Sequence, residues 1–178
     1  AGVATDGTHV NTASNVYTLT IDTIQPTVSI TSSPVSGSTT TSTILNYTAT
    51  FSESVFNFTS SDITVTGSAN GGVPAVSNFA GSGTTYTFNV LRGSSDGTAI
   101  VSVLAGVATD AATNPNTAST TNTITIDSTA PTVVLSTPQN PTNVSPFTVT
   151  AQFSETVTGV ALGDFAVVNG IAGNFNAV

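Results

Sequence analysis

One long passage is written twice in this chain. AGVATD at 1–6 returns at 105–110, IDTIQPTV at 21–28 returns as IDSTAPTV at 126–133, and FSESV at 51–55 returns as FSETV at 153–157. The copies stand 102 to 105 residues apart, so the period is close to one domain length and drifts only through short changes in loops. Self-similarity at a fixed period is the signature of a tandem array. Read in that register, residues 1–22 are expected to be the end of one repeat, 23–127 a complete repeat, and 128–178 the start of a third. The whole then reads as a window on a longer array.

Within the complete repeat, apolar residues alternate with polar ones. PTVSITS at 26–32, ILNYTATF at 44–51, DITVTG at 62–67, VPAVSNF at 73–79, TYTFNV at 85–90, TAIVSVL at 98–104 and NTITID at 122–127 each carry this period of two. Such alternation predicts strands with one buried face, and the Gly and Ser clusters between them predict turns. Seven short strands in about a hundred residues predict an all-β fold, an antiparallel immunoglobulin-like sandwich. The second copy supports the same faces: Leu45, Tyr47, Ala49 and Phe51 correspond to Phe147, Val149, Ala151 and Phe153. Size changes while parity stays, as in core strands that redistribute packing. Tyr17, Tyr47 and Tyr86 each sit in an alternating pattern and are expected in cores rather than on a ligand platform.

Composition narrows the functions open to such a fold. Nine acids face one base, Arg92, and no lysine, for a net charge of −8. That surface repels nucleic acid and anionic membranes. Charged residues make up only 6% of the chain against 38% apolar, so the chain has the means to build a core and is not a disordered polyanion. There is no cysteine, which removes disulfides and thiolate metal sites, and the lack of lysine removes Lys–Asn cross-links. The longest apolar run, near 100–108, is broken by Ser102 and Gly106 and falls well short of the roughly 20 residues that cross a bilayer.

The acids recur with the repeat. Asp6 matches Asp110, Asp22 matches Asp127, Glu53 matches Glu155, and Asp62 matches Asp164; Asp96 stands alone. On a sandwich, the entry to the first strand, the turn after the second, the start of the third and the loop before the last all lie at one pole. Those are the expected addresses of Asp22, Glu53, Asp62 and Asp110, which would converge with no lysine to neutralise them. Clustered carboxylates raise one another's pKa and oppose folding unless a cation joins them. Calcium, which takes six to eight oxygen ligands in flexible geometry, is the expected ion, with Asn114, Asn116 and carbonyls of DAATNPN as further donors. Asp127, Glu155 and Asp164 are the matching set for the next repeat. The spacing fits no EF-hand, and the alternative is that each acid caps a local turn.

A catalytic role finds little in these residues. His9 is the only histidine, and the second copy places Thr113 or Asn114 there, so it cannot serve a repeated reaction. Glu53 and Asp62 could imitate a glycosidase pair, but a sandwich pole abutting a neighbour leaves no substrate groove. A sugar platform would want exposed aromatics, and there is no Trp.

The phrases IDSTAPTV, FSESVFNFTSSDITV, TYTFNV and AGVATDAATNPNTAS, in this order, resemble the bacterial immunoglobulin-like repeats of giant surface adhesins and biofilm-associated proteins. The resemblance spans essentially the whole chain. It implies a non-enzymatic extracellular stalk at the cell surface that holds a distal binding region away from the cell, with calcium held at or between domains in several relatives. The implied partners are neighbouring repeats of the same chain and, in a filament, further copies. Readings from other classes are an accessory glycan-binding module of a secreted enzyme and a repeat of an S-layer or phage fibre.

Overall fold

Alternation of large apolar and small polar residues governs every long strand of this protein. The computed structural model describes residues 4–69, 75–138 and 140–176, and contacts between residues divide the chain into two units, 1–127 and 128–178. In the first unit seven strands form two sheets. One sheet has the order β1 (Val28–Ser33), β3 (Ile44–Val55), β5 (Ala75–Leu91); the other has the order β2 (Thr39–Thr40), β7 (Asn122–Ile126), β6 (Gly97–Val103), β4 (Ile63–Thr66). All pairings are antiparallel except that of β2 with β7. The fold is thus all-β, two sheets of mainly antiparallel strands packed face to face.

The core lies between the sheets. Leu45, Tyr47, Ala49 and Phe51 of β3 face Ala99, Val101 and Val103 of β6 and Ile124 and Ile126 of β7 in one cluster, with Tyr86, Phe88 and Val90 from β5. Side chains that alternate along a strand must land on opposite faces, so this parity alone sorts core from solvent. Tyr47 stacks on Phe88 at 5.3 Å with nearly parallel rings, while Phe51, Phe58 and Tyr86 meet edge to face. These are the arrangements that aromatic quadrupoles favour.

Three expectations change. The segments 73–79 and 85–90, expected as separate strands, are joined from Ala75 onward in β5 (Ala75–Leu91), while Val73 and Pro74 lie outside the described residues. The run doubles back on itself: Asn78, Gly81 and Gly83 have positive φ, Asn78 Nδ2 donates to Asn89 Oδ1 at 2.8 Å, and Phe79 stacks on Tyr86. The short β2 carries no apolar signal because its two threonines join the sheet through backbone pairing with β7. Tyr17, expected in a core, is exposed, as are Val16, Leu19 and Ile21, and residues 11–27 form no strand. Tyr47 and Tyr86 are buried as expected.

The second unit contains the antiparallel pair β8 (Val133–Ser136) and β9 (Thr150–Phe153). Its local geometry copies the first unit. Val133 pairs with Phe153 as Val28 pairs with Phe51, and the N–H of Thr132 donates to Ser154 Oγ at 2.9 Å as that of Thr27 donates to Ser52 Oγ at 2.9 Å. Among the described residues no helix is long and apolar enough to cross a membrane.

Candidate acidic pole of the first unit

The loop between β6 and β7 is held by an asparagine. Asn116 is buried, and all of its amide is used: Oδ1 accepts from the N–H groups of Val107 and Ala108 at 2.9 and 2.8 Å, and Nδ2 donates to the carbonyls of Leu104 and Thr117 at 2.9 and 2.7 Å. A buried amide with every partner in place rigidifies the backbone it binds. The loop is further joined to two other segments. The N–H of Phe56 donates to the carbonyl of Thr109 at 2.7 Å, and that of Thr117 donates to the carbonyl of Pro26 at 2.9 Å. The end of β3, the entry to β1 and the β6–β7 loop are therefore fixed together.

Three carboxylates meet at this junction. Asp22, Glu53 and Asp110 each offer an oxygen within 4.8 Å of the others, with Asp22 exposed, Glu53 half-buried and Asp110 buried. The route by which Glu53 arrives differs from expectation. Rather than ending near Ser52, β3 runs on to Val55, and Phe51, Glu53 and Val55 keep one parity, with the β3–β5 register broken between Thr50 and Val55. The carboxylate thus lies on the inward face, at the end of the sandwich where that face meets the loop. Burial there, followed by the charges of Asp110 and Asp22, pushes the Glu53 carboxyl above its ordinary value.

Asp110 behaves in the opposite way. Burial raises its pKa, but hydrogen bonds from the Asn114 side chain and from the N–H groups of Asn114, Ala112 and Thr113 outweigh it, and the net shift is downward. Asn114 reaches Asp110 with its N–H and its Nδ2, both at 2.8 Å, and Nδ2 also donates to the carbonyl of Asp22 at 3.1 Å. The N–H of Ile24 donates to Asp22 Oδ1 at 3.0 Å, closing a local turn. Asp6, the sequence match of Asp110, shows the same local device: Thr8 and His9 donate to its carboxylate and hold it well below the usual carboxylate range.

Asp62, expected at this site, does not join the group. Its Oδ2 accepts from the N–H and hydroxyl of Thr59 at 2.7 and 2.8 Å, capping the short 3-10 turn Ser60–Asp62. The turn residues between Thr59 and Ile63 make a carboxylate at the third position more useful as a cap than as a distant ligand. Asp164 repeats that cap, accepting from the N–H of Ala161 at 2.8 Å in the second unit, where Glu155 is exposed. Asp127 closes the first unit beside β2, its N–H donating to the carbonyl of Thr40 at 3.1 Å. Asn116, expected as a further donor to a metal, is fully committed to the loop.

The remaining three carboxylates fit a hard cation. Oxygens bound to one calcium at 2.3–2.6 Å stand at most about 5 Å apart, and a set of carboxylates without imidazole or thiolate suits calcium rather than zinc. Two or more further oxygens from carbonyls or water would complete the shell.

The bacterial Ig-like domain family model matches residues 22–126, which is the span of the two-sheet sandwich together with its acidic entry residue. The chain belongs to the bacterial Ig-like domain family. No curated protein and no solved structure matches it. The bacterial Ig-like domain is a non-catalytic domain type, typical of surface or extracellular proteins.

Proposed function

We propose that this bacterial Ig-like chain is a structural stalk segment of an extracellular adhesin or surface filament, one that sets distance and stiffness and catalyses nothing. The observation that carries the reading is the atomic recurrence of one unit's opening in the next, with Val28↔Phe51 repeated as Val133↔Phe153 and the Thr–Ser hydrogen bond repeated beside it. A tandem array of such units gains length by adding sandwiches, each of which needs only its own core. Calcium at Asp22, Glu53 and Asp110 has a defined task in this reading. It would fasten the entry segment before β1 to the end of β3 and the β6–β7 loop, where Asn114 already bridges Asp110 and the Asp22 carbonyl.

Titration calorimetry with calcium on the metal-free chain, paired with thermal melts in calcium and in EDTA, tests the ion. Heat of binding and a higher melting temperature in calcium are expected, because an ion that binds only the folded state stabilises it by mass action. No heat and identical melts would remove the metal. Small-angle scattering of a multi-repeat chain tests the stalk: a rod whose maximum dimension grows in proportion to repeat number is expected, whereas a compact particle would overturn it.

A further inference from the structure

Asn57 sits in a turn that the chain builds twice with different residues. FNFT at 56–59 follows β3, and TGVA at 158–161 is its copy in the second unit. Asn57 and Gly159 both hold a left-handed backbone, at φ +65° and +79°. Glycine takes that conformation at no steric cost, and asparagine at some. The cap that follows is shared as well: Asp62 accepts from the N–H of Thr59 at 2.7 Å, and Asp164 from that of Ala161 at 2.8 Å. Since Gly159 and Ala161 suffice for the copy of this turn, neither the Asn57 amide nor the Thr59 hydroxyl is required to build it.

These two residues complete an Asn-x-Thr triplet, the acceptor pattern for N-linked sugars. With a residue other than Pro at the centre, Asn-x-Ser/Thr occurs at 46–48, 57–59 and 143–145, and in a chain this rich in Asn, Ser and Thr the triplet alone selects none of them. Geometry does. Asn46 lies within β3, paired with Ser33 on one side and Asn89 on the other, and its Oδ1 accepts from Asn89 Nδ2. Ser145 is restricted by the ring of Pro146 that follows it. Asn57 is exposed outside any strand, and its side-chain amide makes no hydrogen bond among the described residues. Phe58 is buried and packs edge to face on Phe51 and Tyr86, which anchors the turn to the core with Asn57 on the outside. Phe56 is 56% exposed where the copy has Thr158, and so gives a sugar at the next residue an apolar ring to cover.

We propose that Asn57 is the acceptor of an N-linked glycan. The substrate is a sugar whose C1 carries a diphosphate leaving group, borne by a nucleotide or a lipid, and a separate transferase supplies the catalytic groups. Asn57 Nδ2 forms the bond to C1 while the C1–O bond to the diphosphate breaks; the electron pair leaves with the diphosphate, and one Nδ2 proton passes to a base of the transferase. The Thr59 hydroxyl is the second group the transferase reads. In the folded turn that hydroxyl donates to Asp62 at 2.8 Å and Phe58 is buried, so the transferase meets the segment before the sandwich closes. The finished glycan then stands at the end of β3, over an exposed turn of the kind that proteases attack. The inference rests on the extracellular reading for its compartment and on neither calcium nor stiffness.

Intact mass and glycopeptide mapping of the protein purified from its native host test the proposal. A mass above that of the bare polypeptide is expected, with the increment on the peptide that holds Asn57. A single sugar residue indicates a nucleotide-linked donor, and a preassembled oligosaccharide a lipid-linked one. Asn57→Gly and Thr59→Ala, substitutions that the copied turn already carries as Gly159 and Ala161, should each lose the increment. Thr59→Ser should keep it, and Asn46→Gln should leave it unchanged. Bare polypeptide mass in the wild type, sugar mapped only to Asn46 or Asn143, or an increment that survives Thr59→Ala would each overturn the assignment. Digestion of whole cells by added protease reads location separately, so a chain that is surface-exposed and free of sugar refutes the acceptor while leaving the stalk reading intact.

Discussion

Asn114 holds Asp110 at both carboxylate oxygens, through its backbone N–H to Oδ1 and its Nδ2 to Oδ2, each at 2.8 Å. The same Nδ2 lies 3.1 Å from the Asp22 carbonyl, so one side chain neutralises part of a buried charge and tethers the chain entering the sandwich. A carboxylate whose pKa is lowered on folding adds stability above its unfolded pKa, and loses it as pH falls through the folded value. Asn114→Ala should therefore lower the melting temperature at neutral pH. The gap to wild type should narrow as pH falls below the ordinary value of 3.8. Melts across pH 2–7 check this, and a gap constant across that range would refute the assignment.

Asn116 supports a larger and simpler expectation. Its amide satisfies two N–H groups and two carbonyls in a buried setting, and truncation strands all four. Each unsatisfied buried group costs on the order of 1 kcal/mol or more, so Asn116→Ala should destabilise by about 3 kcal/mol. Asn116→Asp should also fail, since a carboxylate cannot donate to Leu104 and Thr117. Urea unfolding gives the size, and hydrogen exchange at Val107 and Ala108 locates the loss.

Tyr47 offers the opposite sign. Its ring stacks on Phe88, but its hydroxyl is buried and meets no hydrogen-bond partner among the described residues, and burial pushes its pKa up to about 12. Tyr47→Phe keeps the stack and removes the orphaned polar atom. The expected gain is about 1 kcal/mol in urea unfolding; a loss of that size would mean that the hydroxyl is satisfied in solution.

Gly67 marks where the backbone admits no side chain. Its φ is +117°, and a Cβ there would stand 2.1 Å from the Thr98 carbonyl oxygen. Gly67→Ala should cost about 2–3 kcal/mol, from strain at positive φ and from pushing two backbones apart. A stability change within 0.5 kcal/mol of zero would contradict this close approach.

Much of this architecture was legible in the sequence because parity is a local property. The inward faces of β3, β6 and β7 follow directly from alternate apolar residues, and the repeated phrases showed the same faces twice. Two kinds of feature were not legible. β2 is made by backbone pairing of threonines and leaves no apolar trace, and the doubling of β5 depends on positive φ at Asn78, Gly81 and Gly83, which Gly-rich sequence permits without specifying. The acidic pole divided along the same line. Asp22 and Asp110 meet because the segment entering β1 and the β6–β7 loop share one end of the sandwich, and β3 carries Glu53 to the same end, whereas Asp62 is held in a cap of its own short turn. From sequence alone Asn116 reads as a donor to metal. Its signal was the NPNT turn before an apolar strand, which also suits a residue that pins a loop, and only the bond partners separate the two.

Glu53 decides between metal and local bonding at the pole. Burial and the neighbouring charges of Asp110 and Asp22 raise its carboxyl above the ordinary value of 4.5, so folding favours its protonated form. A raised acid contributes stability that is present below the unfolded pKa and lost as pH rises through the folded one. Without calcium, Glu53→Gln should accordingly match wild type at low pH and be the more stable above it, since the amide keeps the size and removes the repulsion. With calcium the order should invert at neutral pH, because the wild type gains the ion's mass-action stabilisation and the variant loses most of it. Four melts at pH 7, wild type and variant each in calcium and in EDTA, separate these terms. A loss in the variant that is equal with and without calcium would mean that Glu53 serves the fold through local hydrogen bonds, and the pole would then carry no metal.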